Sequence, residues 1–324
     1  ATSELRARVR ERLVGAAEFL AADQSTTTLA ETDDDLLVHL AGADRAVRLA
    51  RLERAITEFD AATITTIHGF ATQVLGTLGT TAGTDPDATL VDDSAELAAE
   101  CCADVLAAAS VRHASDVLPT HKALVTATRT AINIPDLVLA PCDGDDGVDD
   151  ATRLLVELVT ASIDLMRTRR RGAGTLSFDD ILVELRRALD GGNGTAAIET
   201  LRSRFRVALI DEFQDTDPVQ WDIFRTLFDG SDDSSLVLVG DPKQAIYAFR
   251  GANVHTYLDA VGSGATRRTL ATNWRSDGAV LRATDALLSG TTYGAPEIVF
   301  APVAPAPHHE HRRITDAEGR PLPG

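Results

Sequence analysis

Lysine, cysteine and long apolar runs are all scarce in this chain. Of 31 basic residues, only Lys122 and Lys243 are lysine. The three cysteines, Cys101, Cys102 and Cys142, show no CxxC spacing. A disulfide framework and a zinc site are therefore not expected, and a reducing cytoplasm is the natural compartment. No run of ~18 uncharged apolar residues occurs, so no membrane span is expected. Residues 1–10 mix charges throughout and no apolar segment follows, so no signal peptide is expected. A glycine-rich phosphate loop of the form Gly-x-x-x-x-Gly-Lys-Ser/Thr is also missing from these residues.

The 324 residues suffice for one large or two ordinary domains, and 44% apolar with 25% charged residues is an ordinary globular balance. The chain opens ATSELRARVRERL, directly in a helical pattern and without methionine, as expected of a segment cut from a larger protein. A net charge of −18 argues, taken alone, against nucleic acid as a partner. The charge is uneven, with acid gathered at 85–93 and 143–150 and base at 167–171, 202–206 and 267–268.

Periodicity predicts a helix over 4–20, with Leu5, Val9, Leu13, Ala16 and Leu20 on one face, and another over 44–58. The β-branched stretch 63–70 predicts a short strand and a turn at Gly69, with a helix continuing over 66–78. Residues 85–204 read as mostly helical, with helices at 94–110, 113–131, 149–171, 178–189 and 195–204. From 207 the pattern becomes strand, helix, strand (207–210, 218–228, 236–239), then helix 254–261, strand 269–271 and helix 277–288. The fold class expected is α/β, with the helical block inserted into a parallel-sheet core.

The two apolar runs 207–210 and 236–239 each end in a polar cluster. Asp211-Glu212-Phe213-Gln214-Asp215 follows the first, and Gly240-Asp241-Pro242-Lys243-Gln244 the second. Ligands of parallel sheets bind just outside the carboxyl ends of the strands. Two carboxylates and a glutamine at one crevice suit metal-assisted phosphoryl transfer: one carboxylate for Mg²⁺, one to activate water, and a polar group to sense the terminal phosphate. A plainer reading is a strand end feeding a helix capped by Asp215 or Asp217, and both readings are compatible. Tyr247, Phe249 and Arg250 crowd two aromatics and a cation into four residues, suited to stacking on unpaired bases or to an ordinary core. Arg275 follows a predicted strand, as an arginine finger does, and Trp274 beside it suits stacking on adenine or burial in a core. Thr66 and His68 flank the Gly69 break, where they would meet a nucleic-acid backbone or serve structure alone. His308, His309, Glu310 and His311 fit no helical HExxH face, so metal is not expected there.

Together these motifs resemble the superfamily 1A helicases of the UvrD/Rep class, and within it the RecB-type motor subunits of RecBCD exonucleases. ATSELR, TIHGF, SFDDIL, LIDEFQDTDPVQ, VGDPKQAIYAFRGA and TNWRS occur in the family's order over nearly the whole chain. The resemblance implies ATP and Mg²⁺ as cofactors, with Asp211 on the metal, Glu212 as catalytic base, Gln244 on the γ-phosphate, Arg275 on its charge and Trp274 against the adenine. It implies that Thr66, His68, Tyr247, Phe249 and Arg250 line a single-stranded DNA path. It further implies a RecA-like lobe at 1–84 and 205–264, a helical subdomain at 85–204, and the start of a second lobe at 265–324. Single-stranded or duplex-end DNA and RecC- and RecD-like subunits are the implied partners. Without the phosphate loop, the chain alone is expected neither to hydrolyse ATP nor to unwind DNA. The competing expectation is a non-catalytic DNA- or partner-binding module derived from such a helicase.

Overall fold

Short polar side chains start most of the helices, and glycine ends or bends several of them. A computed structural model of the chain describes residues 2–22, 34–79, 88–91, 94–112, 117–132, 139–140, 149–230, 233–245, 253–264 and 266–309. It divides into two units, Ala1–Thr77 and Leu78–Gly324.

In the first unit, helix α1 (Thr2–Ala21) packs against α2 (Asp35–Ala41) and α3 (Arg45–Thr57). α1 and α3 run antiparallel. Arg45, opening α3, donates to the Leu20 carbonyl near the end of α1 at 2.8 Å, filling an acceptor that a last helical turn leaves open. At the other end Arg6 pairs with Asp60 at 3.1 Å and lies 5.2 Å over the Phe59 ring. Burial on α1 is confined to Ala16, Ala17 and Leu20; Leu5 and Val9, expected on the buried face, are exposed.

The strand expected at 63–70 does not form. The helix expected over 66–78 does form, as α4 (Ile67–Leu78), and it starts inside that stretch. Thr66 Oγ1 accepts the Gly69 N–H at 3.1 Å, and this local cap outweighs the β-branched preference of the run. Gly69 therefore sits in a helical first turn, where a Cβ would collide with Thr65 Oγ1.

The second unit begins with a helical block. α5 (Ser94–Arg112), α6 (His121–Ile132) and α7 (Asp150–Ala173) pack on one another around Cys102, Val105, Leu124, Leu158 and Val159. α6 starts at His121, later than the expected 113, and residues 113–116 lie outside the described residues. The arginine run at 167–171 is spent on internal ion pairs. Arg167 pairs with Asp164, Arg169 with Glu100 and Asp104, Arg170 with Asp180, and Arg171 with Glu184. The parallel pair β1 (Thr89–Leu90) and β2 (Thr175–Leu176) joins the entry of this block to its exit. α8 (Phe178–Asp190) follows through a capping box of Ser177 and Asp180, and then α9 (Gly194–Arg204).

Next comes a parallel β-α-β unit: β3 (Val207–Ile210), α10 (Pro218–Phe228) and β4 (Ser235–Leu238). Ile210 stands opposite Leu238, so both strands end together. Asp217 caps α10 and Pro218 occupies its first turn, the strongest start signal in the chain. Arg202 closes the other end of α10, donating to the carbonyls of Leu227, Thr226 and Asp229 at 2.8, 3.0 and 3.1 Å. Side chains alternate along the strands. Ile210 points into the core, while Val207, Leu209 and Val237 are exposed on the opposite face, Leu209 at 71%.

α11 (Val254–Gly262), β5 (Thr272–Asn273), α12 (Gly278–Leu288), β6 (Thr292–Tyr293), β7 (Ala295–Val299) and β8 (Ala304–Pro305) complete the described chain. β5 lies just beyond the strand expected at 269–271, and it pairs in parallel with β8. β6 and β7 form a hairpin turning at Gly294, whose φ of 74° suits glycine. The result is a mixed α/β fold, mostly helical, with short parallel strands. Among the described residues all the sheets are two-stranded. No helix among them is long and apolar enough to cross a membrane.

Candidate functional site

Because β3 and β4 end in register, the segments leaving them are neighbours. The Phe213 N–H donates to the Val239 carbonyl at 2.9 Å, extending the pairing one step beyond the strands. Asp211 and Glu212 leave β3 exposed to solvent, and the 3₁₀ turn Phe213–Asp215 follows. Glu212 adopts the left-handed conformation, φ 51° and ψ 41°, which is uncommon for a residue with a side chain. Asp211 Oδ1 accepts the Glu212 N–H at 3.0 Å and steadies that turn.

After the turn, Phe213 drops into the core, edge-on to Trp221 with ring centres 5.5 Å apart. Gln214 follows it inward. Its Nε2 donates to Glu212 Oε2 at 2.6 Å, and its Oε1 accepts the Asp241 N–H at 2.9 Å. From β4, Asp241 caps the 3₁₀ turn Pro242–Gln244. Its carboxylate takes Gln244 Nε2 at 3.2 Å and Lys243 Nζ at 2.7 Å. One hydrogen-bonded chain therefore runs Glu212, Gln214, Asp241, Gln244. Burial pushes the Asp241 carboxyl up, but the bonds from Lys243 and Gln244 outweigh this and hold it below its ordinary value. Asp215 is raised, first by burial and then by the charge of Glu212, and its Oδ1 is buried without a hydrogen-bond partner among the described residues.

The donor set at the strand ends consists of carboxylate oxygens, Asp211 and Glu212 being open to solvent. Hard oxygen donors of this kind suit Mg²⁺. A cavity of about 360 Å³ lies elsewhere, between α10 and α11, lined by Trp221, Asp222, Arg225, His255 and Asp259 among others. Neither Asp211, Glu212 nor Gln244 lines it, so the strand ends, and not this cavity, carry the candidate chemistry.

The remaining residues singled out from sequence fall into three groups. Trp274 and Arg275 follow β5 and are exposed, in an Asx turn where Asn273 Oδ1 accepts the Arg275 and Ser276 N–H groups at 2.9 and 2.8 Å. Thr66 and His68 open α4 in the first unit, Thr66 exposed and His68 half-buried. Tyr247, Phe249 and Arg250 lie outside the described residues, as do Glu310 and His311. His309 is buried at the end of a 3₁₀ turn.

Sequence reasoning passed over Gln214 and Gly240. A glutamine two residues past Glu212 is the only signal for the first. The second is legible only in three dimensions: a Cβ on Gly240 would stand 2.8 Å from Gln214 Oε1.

The family described as the UvrD/REP helicase N-terminal domain matches residues 1–263. Among curated relatives, the RecBCD enzyme subunit RecB of Mycolicibacterium smegmatis is 38% identical over 97% of this chain and 28% of its own length. That of Mycobacterium tuberculosis strain H37Rv is 36% identical over 100% of this chain and likewise 28% of its own length. The Escherichia coli K12 protein of the same name is 41% identical over 50% of this chain and 14% of its own length.

Proposed function

Because the chain belongs to the UvrD/REP helicase family, we propose that it forms part of a RecB-like, ATP-dependent DNA helicase acting in double-strand-break repair and recombination. The observation that carries this reading is that Asp211 and Glu212 follow one of two adjacent parallel strands and Gln244 follows the other, with Glu212 and Gln244 linked through Gln214 and Asp241 by hydrogen bonds.

In this reading Asp211 holds Mg²⁺, which when bound neutralises phosphate charge. Glu212 orients and deprotonates the attacking water, its carboxylate kept exposed by the turn at φ 51°. Gln244 hydrogen-bonds the terminal phosphate. Arg275 stabilises charge developing on that phosphate, and Trp274 stacks on the adenine. Thr66, His68, Tyr247, Phe249 and Arg250 line the path of single-stranded DNA. Residues 1–84 and 205–264 make up a RecA-like lobe, 85–204 a helical subdomain within it, and 265–324 the start of a second lobe. The parallel β1–β2 pair, which joins the two ends of the helical block, supports the insertion. Duplex-end or single-stranded DNA and RecC- and RecD-like subunits are the proposed partners. These residues hold no glycine-rich phosphate loop, so the cradle for the nucleotide would have to come from outside them, and the segment alone would not turn over ATP.

The test is DNA-stimulated ATP turnover by the full-length protein carrying Glu212→Gln. Loss of a general base predicts a fall of about 10²–10⁴-fold in kcat at unchanged nucleotide affinity. Unchanged turnover would remove Glu212 from this role.

A further inference from the structure

Gln214 is 2% exposed, with no contact to solvent that would explain a carboxamide at this position. Its orientation is dictated by its partners. The Glu212 carboxylate only accepts and the Asp241 N–H only donates, so a flipped amide would lose both bonds at once. The exit of β4 is shaped around it, because any side chain at Gly240 would strike Oε1. Glu212 lies on a left-handed backbone beside the acidic Asp211 and Asp215, and the lysine of the neighbouring turn, Lys243, is paired with Asp241.

We propose that Gln214 is a positioning residue for the proposed hydrolysis. It fixes the aim of the Glu212 carboxylate and ties it to the strand end that bears Gln244. This rests on the reading of Glu212 as the base. The bond from Nε2 engages Oε2 and leaves Oε1 of Glu212 for water. The bond to the Asp241 N–H makes that aim depend on β4, so a displacement of the Asp241–Gln244 turn moves the base with it.

The experiment uses the full-length protein with Gln214→Met, Gln214→Glu, Glu212→Gln and the double variant Glu212→Gln/Gln214→Met. Misplacing a reacting group by about 1 Å costs on the order of 10²-fold in rate. Gln214→Met should lower DNA-stimulated kcat by about that factor with KM for ATP unchanged, and should cause no further loss in the Glu212→Gln background. Gln214→Glu sets two carboxylates at the same short separation. Its turnover should be low near neutral pH and should recover on acidification, when one shared proton restores a donor, whereas the wild type shows no such rise. If Gln214→Met fails to fold, this pH profile decides alone. Wild-type kcat in folded Gln214→Met, a wild-type pH profile in Gln214→Glu, or an additive loss in the double variant would overturn the proposal. Unchanged turnover in Glu212→Gln would instead overturn the reading beneath it.

Discussion

Gly240→Ala is the sharpest perturbation of the junction between β3 and β4. The backbone of Gly240 lies outside the left-handed region, so conformation tolerates a side chain and space alone forbids it. The new Cβ would stand 2.8 Å from Gln214 Oε1, 3.1 Å from Phe213 N and 3.2 Å from Gln214 N. Two of these atoms are backbone, and the third belongs to a buried amide held at both ends, so none can step aside. The strand ends must part by roughly 0.5 Å to reach ordinary contact. That stretches two bonds now at 2.9 Å, Phe213 N–H to the Val239 carbonyl and Asp241 N–H to Gln214 Oε1. A strained core contact costs about 1–3 kcal/mol, and a weakened buried hydrogen bond a similar amount. The displacement trades the contact strain for weakened bonds, so the two costs do not add in full and the total is about 2–3 kcal/mol. Amide hydrogen exchange at Phe213 and Asp241 should then accelerate by roughly 30- to 150-fold. Gly76→Ala, an exposed site with open space around it, serves as the control and should leave both amides unchanged. Undiminished protection of Phe213 and Asp241 in folded Gly240→Ala would refute the idea that the glutamine is wedged against this glycine.

Phe213→Ala removes a 1%-exposed ring that also lies 6.1 Å from the Tyr257 ring, and should cost about 3–5 kcal/mol, read as a lower denaturation midpoint. Thr66→Ala deletes the bond that starts α4 and should cost about 1 kcal/mol, seen as faster exchange in the first turn of that helix. The Asp241 carboxyl lies below its ordinary value in the folded state, because Lys243 and Gln244 outweigh the opposing effect of burial. Its contribution to stability is complete above the unfolded-state pKa and is lost as pH falls through the folded-state value. Asp241→Asn should flatten that part of the acid limb of melting temperature against pH, and a curve identical to wild type would contradict the assignment.

Legibility from sequence followed the strength of local signals. Pro218 made the start of α10 legible, with Asp215 and Asp217 both open as its cap until the structure placed Asp217 there. At 63–70 the threonines favour a strand by shape, but no strand forms there; the helix also expected from 66 wins because Thr66 starts it by hydrogen bonding. β1, β2, β6 and β8 are two residues long, too short to carry a period, so they were invisible before pairing was known. Asp211, Glu212 and Gln244 stood out because each follows an apolar run. Gln214 did not, since its close fit against Gly240 joins residues 26 apart in sequence, across the ends of β3 and β4.

The backbone at Glu212 sets heat resistance against turnover. An L-residue in a left-handed turn sits roughly 1–2 kcal/mol above its relaxed state, a penalty glycine does not incur. A library sorted only for survival at high temperature should therefore enrich glycine at position 212, and every such winner would have discarded the carboxylate proposed to drive the motor.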